Sequence, residues 1–504
     1  MAASVRISSD MARLATNDHS PDIFTIVCCN ECFQLALDLA TIKTLLRVCK
    51  RAHPLLSSKV ARLHSWCRKA GLCRPDRSPR IVLTPSDQIS LSLHCKDQAE
   101  ADRSWLIDQA DQGNASASYL LARVFQSDVG NRVAVDAERV AKQQQIFHLL
   151  EAAAKADHPM AQFYLAECHV YGRGVDQDHT KATGLYRNLA ERGFAQAQIA
   201  LGECYEAGEG VEQDFSTAIE WYSRAADQGC EDGRLHIVFL RGWFSFIGLG
   251  VEQSDEVAFN HWQEVSTQST NPVIKTIATH MVGWMHYLGR GTERDEQKGI
   301  KIVRDSKSKE FPLGEDSGLA GWYIIPCRSP ASHKFYRLCQ LGSERDWLCK
   351  HLAAVCLING FGTAANAEMA ACIFEQLANE GHGDSQFRLG MCYRYGWGAR
   401  KSYSRAIRWF RKAADLGNSY APWMAGQCYH YGYGVTTNYE KAAKWYRRSA
   451  KRGNRYGQWQ LGYCYKNGFG VKSDIDKAKY WYRKAADQDF DIPAISLREL
   501  ENVR

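Results

Sequence analysis

Apolar residues recur along this chain at intervals typical of amphipathic helices, and the pattern itself repeats about every 36 residues. In the clearest unit, residues 421–453, one stripe includes Ala425 and Cys428, and a second includes Ala442 and Tyr446. Spacings of three and four residues place such side chains on one face of a helix. Each unit is therefore predicted to be a pair of helices.

A Gly-x-Gly triplet separates the two helices of each unit. Eight triplets occur at matching points of the repeat, most of them 36 residues apart, and their second glycines are Gly174, Gly210, Gly250, Gly291, Gly362, Gly398, Gly434 and Gly470. Glycine readily adopts the left-handed conformation that ends helices. Four residues later every unit has a residue type that caps helix starts, namely Asp178, Asp214, Ser254, Asp295, Asn366, Ser402, Asn438 and Asp474. A fixed period of this size indicates a solenoid, in which each unit buries its apolar face against its neighbours.

Small residues recur inside the first helices. Gly426 has counterparts at Gly202, Gly390 and Gly462, although glycine costs about 1 kcal/mol in a helix interior. The repetition predicts that another helix crosses too closely for a Cβ atom. A cysteine also recurs once per unit, at Cys168, Cys204, Cys356, Cys392, Cys428 and Cys464. Stacked helices lie about 8–10 Å apart, which is too far for a disulfide, so these thiols are predicted to be reduced and buried.

The residues of the last unit carry a specific resemblance. Residues 461–471 (LGYCYKNGFGV) followed by 476–486 (DKAKYWYRKAA) resemble a Sel1-like repeat, a relative of the tetratricopeptide repeats. The resemblance covers roughly residues 113–489, or about ten units. It implies an all-α fold, a right-handed α-solenoid of about ten Sel1-like helix-turn-helix repeats with a small helical N-terminal segment.

The chain is predicted to divide into seven parts. They are a disordered tail (1–20), a helical F-box-like or capping segment (21–73), a linker and first helix (74–104), an N-terminal block of repeats (105–306), a degenerate repeat (307–344), a regular basic block (345–488) and a C-terminal tail or cap (489–504). The degenerate repeat contains Pro312, Pro326 and Pro330, so its helices are expected to be short or broken. This interruption is a candidate hinge.

The N-terminal segment resembles an F-box in two places. Ser20-Pro21-Asp22-Ile23 stands where that family begins, and residues 45–51 (LLRVCKR) resemble its later leucine-rich stretch. Ser20 replaces the usual leading leucine, and no tryptophan follows the second stretch. The resemblance implies a helical hairpin at residues 21–68 that docks onto a Skp1-type adaptor of a ubiquitin ligase. The alternative is a plain helical cap over the open end of the solenoid.

Composition and charge narrow the function. The chain is 45% hydrophobic and 24% charged, and it lacks a run of about 18 apolar residues, so no transmembrane segment is expected. Its N-terminus lacks the apolar stretch of a secretory signal, and a cytoplasmic location is expected, with the nucleus as an alternative. Residues 384–484 hold 21 Lys and Arg against 5 Asp and Glu, a net charge of +16. The whole chain has a net charge of +7, so the residues outside 384–484 sum to −9. The last three repeats are therefore a basic segment attached to an acidic remainder, which favours an acidic partner.

No catalytic constellation, cofactor or metal site is predicted. Neither a Ser-His-Asp spacing nor a His-Glu-x2-His motif occurs, and the Gly-x-Gly triplets follow helices rather than a strand. Cys29 and Cys32 form a single pair without a second, which is incomplete for structural zinc. A hydrolase of the cysteine-rich Sel1-like type, which resembles a disulfide-rich scaffold with a second cysteine in each repeat, is disfavoured because the second helices here have alanine or other residues. Nucleic acid is not expected either, since the repeated Trp409, Trp445 and Trp481 are predicted to be core residues, leaving no stacking platform.

The inner groove of the last three repeats is the predicted binding site. Its variable first-helix positions are Arg388, Met391, Arg394, Tyr395, Gln427, His430, Tyr431, Tyr463, Lys466 and Asn467. Tyrosine and arginine are favoured anchors at interfaces. We therefore predict a non-enzymatic scaffold or adaptor of a multiprotein complex, whose partner is a protein or peptide with an acidic segment. The alternative is an F-box-type substrate receptor of an SCF ubiquitin ligase.

Overall fold

The computed structural model describes residues 53–74, 79–95, 103–131, 136–321 and 326–502. In these ranges every regular element is helical, and the only β-type pairings are two isolated bridges. The described residues fall into two compact units, which divide between residues 221 and 222. The predicted all-α solenoid is thereby confirmed.

The first unit consists of short N-terminal helices followed by helical hairpins. Its helices are α1 (His53–Lys69), α2 (Pro85–His94), α3 (Ser104–Asp111), α4 (Ala115–Asn131), α5 (Asp136–Lys155), α6 (Pro159–Tyr171), α7 (His179–Glu191), α8 (Ala195–Ala207) and α9 (Phe215–Asp227), within which the unit boundary falls. Helix α1 contributes Leu63 and Trp66 to the same core as Trp105 of α3, and the two indole rings meet edge-on at 5.2 Å. Helix α1 therefore packs as part of this unit. The F-box-like stretch at residues 21–52 lies outside the described residues.

The second unit continues the hairpins to the C-terminus. Its helices are α10 (Glu231–Ile247), α11 (Asp255–Gln268), α12 (Pro272–Leu288), α13 (Glu296–Asp305), a π-helix (Glu315–Leu319), α14 (Pro330–Gly342), α15 (Trp347–Asn359), α16 (Ala367–Asn379), α17 (Gly383–Tyr395), α18 (Tyr403–Asp415), α19 (Tyr420–Tyr431), α20 (Tyr439–Lys451), α21 (Arg455–Asn467), α22 (Ile475–Ala486) and α23 (Asp491–Asn502). Helices α17, α19 and α21 are the first helices of the three most regular repeats, and α18, α20 and α22 are their partners.

The two glycines of each Gly-x-Gly triplet have different structural roles. Gly432 ends α19 in the left-handed conformation, at φ 73°, and its N–H donates to the carbonyl of Cys428. A Cβ atom on Gly434 would collide with the backbone of Tyr403, at the start of the preceding second helix. The first glycine is therefore needed for its φ angle, and the second also for the close approach of two repeats.

The predicted helix caps are confirmed. The Asn438 side chain accepts a 2.8 Å hydrogen bond from the N–H of Lys441, in the first turn of α20. The same bond, from a backbone N–H in the first turn, forms at all eight predicted caps. Each such cap typically contributes about 1 kcal/mol.

The recurring small residues also pack as predicted. A Cβ atom on Gly426 would lie 2.5 Å from Cε1 of Tyr446, and one on Gly390 would lie 2.5 Å from Cε1 of Phe410. The close crossing is thus the ring of a second-helix aromatic residue lying on the first helix. The six repeat cysteines are free and buried, and burial raises the pKa of Cys392 to about 12.

The degenerate repeat keeps a second helix but replaces its first. The irregular residues 306–321, with their short π-helix, come where a first helix is due, and α14 follows as the second. A Cβ atom on Gly362 would collide with the carbonyl of Ser332 in α14, as one on Gly434 would with Tyr403. The expectation that Pro330 breaks a helix is wrong, because it starts this 13-residue helix at a position where the missing N–H is harmless. Phe311 is fully buried, 5.5 Å from the ring of Phe335, so the segment is part of the core.

A candidate partner-binding surface on the last three repeats

The predicted groove residues separate into two groups along the first helices α17, α19 and α21. Arg388 and Met391 lie in the middle of α17 and are buried. Gln427 and Tyr463 occupy the same repeat position as Met391, and the other six lie at the C-terminal ends of these helices. Arg394, Gln427 and His430 are also buried, so five predicted residues reach solvent, namely Tyr395, Tyr431, Tyr463, Lys466 and Asn467.

The chain's own irregular segment covers the middle of α17. Arg388 Nη2 donates a 2.6 Å hydrogen bond to the carbonyl of Ser317 and another to the carbonyl of Gly318. A Cβ atom on Gly321 would lie 3.6 Å from Cε of Met391, which places that side chain against the same segment. Arg388 and Met391 therefore hold the π-helix region in place and are closed to a partner.

An acidic pair in that segment contacts residues that were not among the predicted groove positions. Glu315 is buried, and its carboxylate accepts from Tyr420 OH at 2.9 Å, from Arg304 Nε at 2.7 Å, and pairs with Arg455 Nη2 at 3.1 Å. Asp316 pairs with the same Arg455 nitrogen at 2.9 Å. Buried charges are tolerated when they are paired and hydrogen-bonded in this way. The irregular segment therefore supplies the counter-ions of Arg304 and Arg455.

The C-terminal ends of the same helices form an exposed aromatic surface. We call it the aromatic edge and define it by seven rings, those of Tyr395, Trp397, Tyr431, Tyr433, Tyr439, Tyr463 and Phe469. Tyr431 is 53% exposed, and Tyr395 and Tyr463 are each 38% exposed. These three tyrosines were predicted from the sequence, whereas the other four rings were not.

Ring contacts hold the aromatic edge together within and between repeats. Tyr395 stacks on Trp397 at 4.8 Å, and Tyr439 stacks on Phe469 at 5.0 Å. Tyr433 stacks on Tyr403, the first residue of the preceding second helix, at 4.9 Å. Because each ring leans on another, the surface is ordered before any partner binds, which lowers the entropy cost of association.

Two predicted residues lie beneath the edge and support it. Arg394 is buried, donates a 2.8 Å hydrogen bond to Oε1 of Gln427, and stands 4.9 Å from the centre of the Tyr433 ring. His430 is buried among aromatic rings, with Tyr439 at 5.1 Å and Phe469 at 5.4 Å. Burial lowers the pKa of His430, so its imidazole is neutral at neutral pH. Both side chains position rings and are not open contacts for a partner.

The remaining predicted residues flank the edge with little free charge. Lys466 is half-buried and pairs with Glu499 of α23 at 3.5 Å. Asn467 is exposed, and its Nδ2 donates to the carbonyl of Tyr463 at 2.9 Å. The open surface is therefore aromatic rather than basic. The excess positive charge lies instead on second helices, where Arg408, Arg411 and Lys444 are exposed.

A sequence signal for the missed rings does exist. Trp397, Tyr433 and Phe469 are the middle residues of the last three Gly-x-Gly triplets, whereas Arg173 and Glu209 occupy that place in the first two. The glycines are the constant part of each triplet, and the residue between them varies.

The second-helix tryptophans differ from expectation. Trp409, Trp445 and Trp481 are only half-buried, although they were predicted to be core residues. Two of these rings are covered by cationic side chains and are not available for stacking with a ligand. Lys412 lies 4.4 Å over Trp409, and Arg448 lies 5.3 Å over Trp445.

The described residues show neither a metal cluster nor a membrane helix. No group of three or more His, Cys, Asp or Glu side chains within them has the geometry to hold a metal ion. In the same part of the chain, no helix combines the length and apolar character required to span a bilayer. The predicted Cys29–Cys32 pair lies outside the described residues.

Helical pairs of 36 residues, joined by glycine turns and stacked through fixed contacts, define the α-solenoid class of repeat proteins. Within that class the sequence is specific. Seven segments match the family model of the Sel1 repeat, at residues 159–194, 195–230, 239–267, 276–302, 383–418, 419–454 and 455–490. The chain thus contains seven Sel1 repeats, and Sel1-repeat proteins generally act as protein-interaction scaffolds. The unmatched stretch between the fourth and fifth segments contains the degenerate repeat.

Solved Sel1-repeat structures resemble the chain at low identity. A protective antigen of uropathogenic Escherichia coli with an SLR fold is 25% identical, over 82% of this chain and 87% of that one, with a TM-score of 0.36. A Sel1 repeat protein from Oxalobacter formigenes is 22% identical over 80% and 92%, with a TM-score of 0.29. A putative Sel1 repeat protein from Klebsiella pneumoniae subsp. pneumoniae is 21% identical over 40% and 90%, with a TM-score of 0.26. No curated protein matches the chain significantly.

Proposed function

We propose that this protein is a non-enzymatic scaffold or adaptor of a multiprotein complex, and that it binds an extended segment of a partner protein on the aromatic edge. The observation that carries the proposal is the row of exposed tyrosines on rigid, stacked repeats. Tyrosine rings supply large contact area with few rotatable bonds and are enriched among the residues that dominate binding energy. A scaffold with such a row exposes apolar surface that a monomer would otherwise avoid.

The chemistry of the edge favours an uncharged, extended ligand. Its exposed rings offer faces for apolar side chains and hydroxyls for backbone groups, while Arg394 is buried and Lys466 pairs with Glu499. Aromatic-lined grooves of this kind bind extended proline-rich segments, whose backbone is already ordered before binding. Proline-rich segments are therefore the first partners to test, and the predicted acidic partner is the comparison.

The test replaces exposed rings and spares the buried support. In the double variant Tyr431→Ser and Tyr463→Ser, we expect partner binding to weaken by about 100-fold, since each lost anchor typically costs more than 1 kcal/mol. The matched control is Tyr480→Ser, an equally exposed tyrosine on second helix α22. Fluorescence anisotropy with labelled proline-rich and acidic peptides measures both. Equal affinity in the two variants would refute the proposal.

Replacing Arg394, His430 and Lys466 with alanine is a poorer test of the same surface. The first two side chains are buried, so a loss of binding could come from disturbed packing. The exposed tyrosines avoid this difficulty, because surface substitutions away from special features usually change stability by less than about 0.5 kcal/mol.

The F-box alternative rests on the resemblance of residues 21–68 and needs a carefully placed truncation. Deleting residues 1–70 would remove Leu63 and Trp66 and expose Trp105, so any loss of a partner would be ambiguous. A chain of residues 53–504 retains helix α1. Co-purification of a Skp1-type adaptor with the full chain, and its loss from residues 53–504, would support a substrate receptor. An adaptor absent from both preparations would argue against it.

A further inference from the structure

Four arginines line one cleft in the first unit, away from the aromatic edge. Arg80, Arg123, Arg139 and Arg173 surround a cavity of about 480 Å³ between the loop before α2 and helices α4, α5 and α6. They come from four separate places in the sequence, so the cluster arises only from folding. Three neutral polar residues, Gln126, Ser127 and Gln143, line the same cavity.

Among the described residues, none of these four guanidinium groups has a carboxylate oxygen within 4.0 Å. Other arginines of this unit behave differently. Arg103 pairs with Asp128 at 2.6 Å, and Arg192 pairs with Asp157 at 2.9 Å. The cleft therefore holds four arginines without a direct ion pair among the described residues, and a confined group of like charges attracts an anion.

Two of the arginines, Arg123 and Arg173, are held in place. Arg123 lies over the ring of Tyr164 at 3.7 Å and donates to Oε1 of Gln126, while its Nε is buried and has no hydrogen-bond partner among the described residues. Arg173 lies over Tyr171 at 4.6 Å, and as the middle residue of the first Gly-x-Gly triplet its backbone is set by two left-handed glycines. A buried N–H without a partner is costly and is relieved when an anion accepts from it.

One acidic residue, Glu167, also faces the cavity. Burial raises the pKa of its carboxyl, and the charges of Arg123 and Arg173 oppose that shift. With Glu167 ionised the lining still carries a net charge of +3, since four cations face one carboxylate. An ionised Glu167 therefore lowers the affinity of the cleft for an anion, but the net positive charge of the lining still favours anion binding.

We infer that this cleft binds a phosphate group carried on a side chain of a partner protein. Arginine matches the geometry of phosphate oxygens through paired N–H donors, and arginine clusters are a common means of recognising phosphorylated residues. Three of the four arginines, Arg80, Arg139 and Arg173, are exposed, so the bound group remains attached to something outside the cleft. A nucleotide fits less well, because the nearby faces of Tyr164 and Tyr171 are already covered by guanidinium groups.

The test uses the full chain and fluorescein-labelled peptide pools with random flanks and a central phosphoserine, phosphothreonine or phosphotyrosine. We expect at least one pool to bind with a dissociation constant about tenfold or more below that of its unphosphorylated counterpart, as charge-assisted hydrogen bonds require. The double variant Arg139→Gln and Arg173→Gln should abolish this preference. Both side chains are exposed, so the variant should fold.

Two further variants separate a built site from general charge attraction. Arg408→Gln with Arg411→Gln removes the same charge from an exposed helix of the second unit and should leave the preference intact. Glu167→Gln should strengthen phosphopeptide binding several-fold, because it removes the one opposing charge. If the control weakens binding as much as the cleft variant, or no pool prefers phosphate, the inference is wrong.

Competition identifies the source of the phosphate. Inorganic phosphate and ATP are each titrated against the bound pool. If either displaces it at a lower concentration than unlabelled phosphopeptide, the cleft takes a small phosphorylated molecule and the inference of a partner side chain is overturned. The aromatic edge plays no part in these measurements, so their outcome leaves the proposed scaffold function to its own test.

Discussion

The hydroxyl of Tyr420 donates a 2.9 Å hydrogen bond to Oε1 of Glu315, a residue 105 positions earlier in the chain. The bond joins a regular first helix to the irregular segment of the degenerate repeat. Arg304 and Arg455 contact the other oxygen of the same carboxylate, so one buried side chain ties three parts of the second unit together. The negative charge of Glu315 balances the positive charges of Arg304 and Arg455.

Removing that charge should destabilise the second unit. For Glu315→Gln we expect a loss of about 3 kcal/mol in the free energy of unfolding, because Arg304 loses its counter-ion and Arg455 retains only Asp316. Denaturant titration followed by circular dichroism measures the loss. Glu310→Gln, a change at an exposed position of the same segment, is the control and should have little effect. Equal stabilities would show that the ion-pair cluster is not required.

Two glycine substitutions should have opposite effects on stability. Gly426→Ala places a methyl group 2.5 Å from Tyr446 Cε1 and should cost about 1–3 kcal/mol through overpacking, even after the gain in helix propensity. Gly184, in α7, has open space where a methyl group would lie, with no neighbouring atom within 4 Å, so Gly184→Ala should stabilise its helix by about 0.5–1 kcal/mol. Thermal melting compares them. A change of the same sign in both would contradict the described helix crossing.

Stability should fall in mild acid because of His280. This side chain is fully buried, accepts a hydrogen bond from Trp284 Nε1 at Nε2, and burial lowers its pKa to about 3. Below about pH 6.5 the unfolded imidazole takes up a proton while the folded one does not, so stability is lost as the pH falls from about 6.5 towards 3.

At pH 5 the loss attributable to His280 should be about 2 kcal/mol relative to pH 7. The measurement is the difference in unfolding free energy between the two pH values, in the parent chain and in His280→Gln. That difference should shrink by about 2 kcal/mol in the variant. The control, His148→Gln at an exposed position, should leave it unchanged. An unaltered difference in His280→Gln would mean that this histidine is accessible to protons in the folded state.

The repeat cysteines should resist alkylation in the folded protein. Burial raises the pKa of Cys428 to about 11 and that of Cys464 to about 12, and both thiols are inaccessible. Cys372, on α16, is exposed and free. Native iodoacetamide treatment at pH 8 followed by peptide mapping should therefore modify Cys372 and spare the repeat cysteines, whereas treatment after denaturation should modify all of them. Rapid native labelling of Cys428 would contradict the described core.

The fold could be predicted from the sequence because the structure of each repeat is determined by residues within it or in the adjacent repeat. A cap such as Asn438, a turn such as Gly432-Tyr433-Gly434 and a ring-accommodating Gly426 depend on contacts within one or two adjacent repeats. Such contacts recur at a fixed spacing, so the period reveals them. The candidate site was predicted less completely, since Tyr395, Tyr431 and Tyr463 were found while the neighbouring rings of Trp397 and Phe469 were not.

The period of 36 residues, the caps and the apolar stripes by themselves determined that this chain is an α-solenoid, because those features act over one helix pair. Only the tertiary structure decided which groove positions are open. It placed Glu315 against Tyr420 and closed Arg388 and Met391, through contacts between residues 70 to 105 positions apart. The arginine cleft is likewise assembled from Arg80, Arg123, Arg139 and Arg173. No local period records such contacts, because they form only when distant segments meet in the folded chain.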